Sequence, residues 1–246
     1  MEFPPLVITD LRETHGITAR IHRQGSRHVS IHDLGLAQCR SDVVIDGAIT
    51  RLFPYHKDRT RELYVGPQYM ITRDPVERGQ ITDTVLVTFG GGATADFAQR
   101  IADQLYRMGL TVVATTGFTG FAPMTEEQLA RTMSTCRFAI SASGTSLYDL
   151  LASGIPTIAV AFDRLQLRTA DAFHELGAVL SAGLMEKLTP SKVLNHVTEL
   201  LDNRSLVRRL TQAGQMLVDG KGLSRVVEIA RRQIWLTSQP KTYMTC

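Results

Sequence analysis

Ser141-Ala-Ser-Gly-Thr-Ser-Leu-Tyr-Asp-Leu-Leu-Ala-Ser-Gly-Ile-Pro-Thr-Ile-Ala-Val160 decides the fold. It reads as the end of a buried strand (Arg137 to Ile140), a turn of small residues, an amphipathic helix, and a Gly-Ile-Pro turn into a second buried strand. Ser141, Ser143, Gly144, Thr145 and Ser146 crowd the point where the strand becomes a helix. A helix N-terminus presents unpaired N–H groups and partial positive charge, so an anion settles there. Glycine lets a ligand approach the backbone, and the hydroxyls add donors. Ser and Thr are also ordinary N-caps, but a cap needs one such residue, and this turn has five. The turn reads as a phosphate or sugar-phosphate site.

The same grammar repeats on both sides. Thr84-Val-Leu-Val-Thr-Phe89 is a buried strand followed by Gly90-Gly91-Gly92, and Phe97, Ala98, Ile101, Leu105 and Met108 mark one face of a helix over 94–108. Then come strand 110–114, helix 125–134, strand 138–140, helix 147–152, strand 157–161 and a helix around 169–176. Gly177-Ala-Val-Leu180 follows, then a helix from Thr189-Pro190 to about Leu201, and helices over 205–217 and 223–235. Strands alternating with helices give a parallel sheet covered on both faces. The first half offers strands at Leu6–Asp10, His28–Asp33, Asp42–Asp46 and Glu62–Gly66, with a short helix between the first two. The expected organisation is a partial domain over 1–70, a polar linker over 71–82, a complete doubly wound domain over 83–236 and a tail over 237–246.

Composition narrows the class. The 246 residues are 43% hydrophobic and 21% charged, ordinary values for a globular chain. A net charge of +3 is too small to argue for nucleic acid. The clusters Arg204, Arg208, Arg209 and Arg225, Arg231, Arg232 read as solvated helix faces. No apolar run reaches the roughly 18 residues of a membrane span, and the Met-Glu-Phe-Pro-Pro start lacks the pattern of a signal peptide. Cys39, Cys136 and Cys246 share no metal-ligand spacing and suit a reducing cytoplasm. None of the seven histidines forms an H-x-x-x-H pair on a helix. No metal and no cofactor are expected.

In parallel sheets ligands gather beyond the carboxyl ends of the strands. The glycines Gly90, Gly91 and Gly92 sit at one such end, where they suit either a diphosphate or a plain tight turn. Neither a G-x-G-x-x-G nor a Walker pattern accompanies them, which disfavours nucleotide hydrolysis. Asp149 follows Thr145 by four residues and reads either as an acceptor for ribose or sugar hydroxyls or as the partner in a capping box. Asp163 and Gln166 follow the strand 157–161, and Gln166 can donate and accept toward a sugar hydroxyl or a base edge.

These blocks resemble two-domain nucleotide-sugar enzymes of the GT-B fold, such as the lipid-linked N-acetylglucosaminyltransferase of peptidoglycan synthesis. They are more similar to the UDP-2,4-diacetamido-2,4,6-trideoxy-β-L-altropyranose hydrolase family of pseudaminic-acid biosynthesis and its spore-coat polysaccharide relatives. The carrying residues are Val85–Gly92, Ala139–Thr157, Gln166 with Ala170, and Gly177-Ala178, with His28–Leu34, Ser41–Ile45 and Tyr64-Val-Gly-Pro-Gln-Tyr69 upstream. The resemblance implies a GT-B-like α/β fold, a complete doubly wound domain preceded by a truncated Rossmann-like half-domain. It implies a UDP-sugar as ligand, with Gly91 and Gly92 near phosphate, Ser143 to Ser146 capping it, Asp149 at the ribose in place of the usual Glu, and Gln166 at the sugar. Thr169-Ala170 stands where the family has Asn-Ala.

The family's Gly-x-Gly-His turn, whose His activates water, has no counterpart here. His15, in Glu13-Thr-His-Gly16, and His32, where the family has Asp, read as surface or loop residues. A positioned base is worth about a hundred- to ten-thousandfold in rate, so hydrolysis needs that base from elsewhere. A GT-B glycosyltransferase or a non-catalytic UDP-sugar-binding subunit are the competing readings. A half-domain exposes a sheet edge, which invites a homo-oligomer or a complementing chain.

Overall fold

The structure, a computed structural model, describes residues 4–11, 15–33, 41–50, 62–89, 95–115 and 124–238. In chain order these form β1 (Leu6–Asp10), α1 (His15–Arg23), β2 (Arg27–His32), β3 (Val43–Asp46), β4 (Glu62–Val65), β5 (Thr84–Thr88), α2 (Ala95–Arg107), β6 (Thr111–Ala114) and α3 (Glu126–Thr135). There follow β7 (Phe138–Ala142), α4 (Thr145–Ala152), β8 (Thr157–Ala161), α5 (Arg164–Glu175), β9 (Leu180–Leu184), α6 (Pro190–Asp202), α7 (Arg204–Leu217) and α8 (Gly222–Ser238). The chain divides into two compact units, 1–71 with 221–246 and 72–220.

In the first unit four strands pair in parallel in the order β1-β2-β3-β4. Alternation along the strands sends Val29, Val43 and Ile45 to one face, where they meet Val226 and Ile229 of α8. This corrects the expected boundary at 236. The last helix packs on the first sheet because its apolar stripe matches that face, and Arg225 donates to the Gln68 carbonyl at 2.8 Å while Gln233 donates to Glu62 at 3.2 Å.

The second unit is a five-stranded parallel sheet of order β6-β5-β7-β8-β9. Period two divides its core. Val85, Val87, Phe138, Ile140, Ile158 and Val160 face α2 and α6, whereas Leu86 and Ala139 face Met133 of α3 and Leu150 of α4. Strands covered on both faces read as continuous apolar runs, and β5, β7 and β8 do. Strand β9 does not: Leu-Ser-Ala-Gly-Leu has weak strand propensity, Gly183 has φ +94°, and the register shifts opposite Ala159/Val160.

The stretch 71–82 is not a loose linker. The Val76 N–H donates to Ser153 Oγ at 3.1 Å, the Gly79 N–H to the Ser134 carbonyl at 2.9 Å and the Thr82 N–H to the Thr135 carbonyl at 2.9 Å. Arg78 donates to the carbonyls of Met133, in the last turn of α3, and Cys136, its C-cap, where a cation meets the negative end of the helix. The segment is a strap across α3 and α4, held by backbone amides and by Arg73 and Arg78, while Asp74, Glu77 and Gln80 stay exposed.

Candidate functional site

The position of the site follows from strand order. β5 leads through α2 to β6 on one side of it, and the chain returns through α3 to β7 on the other side. α2 lies on one face of the sheet and α4 on the other. The exits of β5 and β7 therefore diverge, and Thr88 pairs with Ser141 so that the exits are neighbours. A parallel sheet opens to ligands at such a switch point. Phe89 packs edge-on against Phe162, centroids 5.6 Å apart, giving this edge an apolar floor. Gly90, Gly91 and Gly92, expected at the β5 exit, lie outside the described residues.

At the β7 exit, Gly144 is the N-cap of α4, in extended conformation, and no side chain among the described residues caps the helix. A Cβ placed on Gly144 would meet nothing within 4 Å. Thr145 is exposed and Ser146 half-buried. The first N–H groups of α4 thus lack the side-chain acceptor that most helices supply. Ser143 differs from its neighbours: it is buried, and its N–H and Oγ both donate to the Val160 carbonyl at 3.0 Å.

Asp149 has its partner outside α4 among the described residues. It does not box the cap with Thr145 or Ser146. Its Oδ1 accepts the Arg73 N–H at 3.0 Å, and its Oδ2 accepts Arg73 Nη1 at 2.6 Å. Arg73 also donates Nε and Nη2 to Glu126 at 2.9 and 3.3 Å. Those bonds, with the ones to Asp149, hold the guanidinium above its ordinary pKa. Arg73 carried no motif and could be found only by asking what the polar strap was for.

Asp163 and Gln166 lie at the start of α5. Asp163 is the N-cap of α5, accepting the Gln166 N–H at 2.8 Å, and Gln166 Oε1 accepts the Phe162 N–H at 3.1 Å. That bond occupies the Gln166 amide oxygen at the β8 exit. α5 starts at Arg164, a turn and a half before the expected 169, because Asp163 supplies the cap.

The first unit carries a polar layer under α1. His28 is fully buried, with Nε2 2.8 Å from Thr9 Oγ1 and Nδ1 3.0 Å from Thr18 Oγ1. Its N–H donates to Asp42 Oδ2 at 2.8 Å, and the same oxygen lies 3.0 Å from His22 Nε2. Burial, then the His22 charge, hold the His28 pKa below 6.5 against the pull of Asp42. His32, expected on the surface or a loop, is instead the buried last residue of β2. Beside it, loss of water around the Asp33 carboxyl and the charges of Asp10 and Asp46 push that carboxyl up. His15 begins α1. Among the described residues no three metal-ligating side chains converge, and no helix is long and apolar enough to cross a membrane.

No protein-family model matches the chain. Over 91 residues it is 34% identical to the spore coat polysaccharide biosynthesis protein SpsG of Bacillus subtilis (strain 168); the match covers 37% of this chain and 27% of that protein. Among solved structures, MurG of Acinetobacter baumannii superimposes with a TM-score of 0.62 at 14% identity, covering 93% of this chain and 73% of that one. MnaA of S. aureus, solved with UDP, gives 0.63 at 15% identity over 96% and 77%. The fold is α/β and GT-B-like, with two parallel sheets.

Proposed function

We propose that the second unit binds a UDP-sugar, with the diphosphate at the start of α4, and that the chain acts as a sugar-nucleotide hydrolase of surface-polysaccharide or nonulosonic-acid biosynthesis once a catalytic base is supplied. The observation that carries this reading is the bare N-terminus of α4 at the switch point of the sheet, capped by Gly144 alone. The backbone amides there and the hydroxyls of Thr145 and Ser146 donate to phosphate oxygens. Gly90, Gly91 and Gly92, which follow Phe89 in the sequence, are the expected phosphate neighbours, Asp149 takes ribose hydroxyls, and Gln166 gives its amide to the sugar. The likeness to SpsG and to a UDP-bound structure supports both the ligand and the polysaccharide setting.

In the reaction, water adds to the anomeric carbon as the bond from that carbon to the diphosphate oxygen breaks. UDP leaves with the bonding pair, and the base takes the proton of water. The charge that develops on the leaving phosphate is met by the α4 amides, which need no reorganisation as it grows. Incubating the protein with UDP-N-acetylglucosamine and separating the products tests this. Slow release of UDP and free sugar without an added acceptor supports the hydrolase; release that begins only with a hydroxyl acceptor makes it a transferase instead.

A further inference from the structure

Asp149 is the only acid in α4, and a single residue holds it from two directions. The Arg73 N–H occupies one carboxylate oxygen and Arg73 Nη1 the other, which stops the carboxylate from turning about its last bond. The opposite edge of the guanidinium is anchored on Glu126, so the fork itself is fixed. Each carboxylate oxygen can accept two hydrogen bonds. Arg73 fills one place on each, and no other donor reaches the Asp149 side chain among the described residues. The remaining two places belong to a carboxylate whose side chain is only 10% accessible. Acceptors so far removed from water favour a donor that arrives with a ligand. Two hydroxyls on adjacent carbons match the spacing of two oxygens on one carboxylate.

We infer that Arg73 is a positioning residue that sets nucleotide specificity: it pins Asp149 so that the carboxylate accepts both the 2′- and 3′-hydroxyls of a ribonucleoside diphosphate, and the site selects ribose over 2′-deoxyribose. The inference rests on the nucleotide-binding reading of α4 given above. Arg73 does not touch the nucleotide; it acts through Asp149. A strap residue with a merely structural role would also join 72–82 to α4, but its loss would weaken every nucleotide alike. Loss of a positioning residue removes what the two ribose hydroxyls contribute, so UDP loses more than 2′-deoxy-UDP.

Calorimetric titration of UDP and 2′-deoxy-UDP into the wild type, Arg73→Lys, Arg73→Gln and Asp149→Asn separates the two, with thermal melts in parallel. The wild type is expected to prefer UDP by about tenfold, the loss of one hydrogen bond to a charged group. Arg73→Gln should weaken UDP more than 2′-deoxy-UDP and so bring the ratio close to one, and Asp149→Asn should do the same. The double variant should lose nothing more. Should Arg73→Gln fail to fold, Arg73→Lys decides, since it keeps the charge and the backbone bond but not the fork, and its ratio should still fall. Equal weakening of both nucleotides, or an unchanged ratio in Arg73→Lys, overturns the inference. A wild type that binds UDP and 2′-deoxy-UDP equally overturns it alone; a wild type that binds neither removes the parent reading with it.

Discussion

Ser143 gives both its N–H and its hydroxyl to one acceptor, the carbonyl oxygen of Val160. The pairing of β7 with β8 places Ala142 opposite Val160, so these bonds extend the ladder one residue past the strand and aim the turn that follows. A hydroxyl whose proton is already donated has none for an anion. In the proposed site Ser143 therefore shapes the turn, while the α4 amides, Thr145 and Ser146 face the phosphate. Ser143→Ala should cost about 1 kcal/mol of stability in urea melts and leave the affinity for UDP within about twofold. A large loss of UDP affinity without a change in the melt would place the Ser143 hydroxyl on the ligand instead.

The docking of α8 on the first sheet has its own test. A Cβ on Gly222 would lie 1.9 Å from the Met70 carbonyl oxygen and 2.6 Å from its carbon, both backbone atoms with no flexible end to move. Gly222→Ala should destabilise the first unit by about 1–3 kcal/mol, the usual cost of overpacking. Far-ultraviolet circular dichroism and proteolysis near residue 222 would report it. An unchanged melt would mean that α8 is not fastened there.

The buried His28 predicts a pH dependence. Its folded pKa lies below 6.5, so between that value and 6.5 the unfolded chain binds more protons than the native one. Stability is then full above pH 6.5 and falls as the pH drops toward the depressed value, by at most about 1.4 kcal/mol per pH unit. His28→Gln, which can still bond Thr9 and Thr18, should flatten that slope in urea melts at stepped pH. An equal slope in the variant would assign the dependence to other groups.

Much of the fold is legible because burial on both sheet faces leaves apolar runs such as Val85-Leu-Val87 and Ile158-Ala-Val160, and because helices carry caps: Thr125 and Gln128 form a reciprocal box at α3, as the start near 125 implied. Strand β9 was not legible, since Ser181, Ala182 and Gly183 gain their strand geometry only from pairing with β8. The membership of α8 was hidden for the same reason: its apolar stripe says that it packs, not on which sheet. At the site, the Gly144 turn could be read from residue types and topology. Arg73 could not, because 76 positions separate it from Asp149 and a polar strap has no periodicity to announce what it touches.

The central claim is that phosphate occupies the start of α4, and Gly144→Asp tests it most directly. Asp is a favoured N-cap, the φ of −95° suits it, and its Cβ meets no atom within 4 Å, so the helix should melt at or above the wild-type temperature. The new carboxylate would stand where the diphosphate is proposed to sit. Calorimetric titration should show saturable one-to-one binding of UDP by the wild type and none by Gly144→Asp. Equal binding by both proteins, or none by the wild type, would contradict the account.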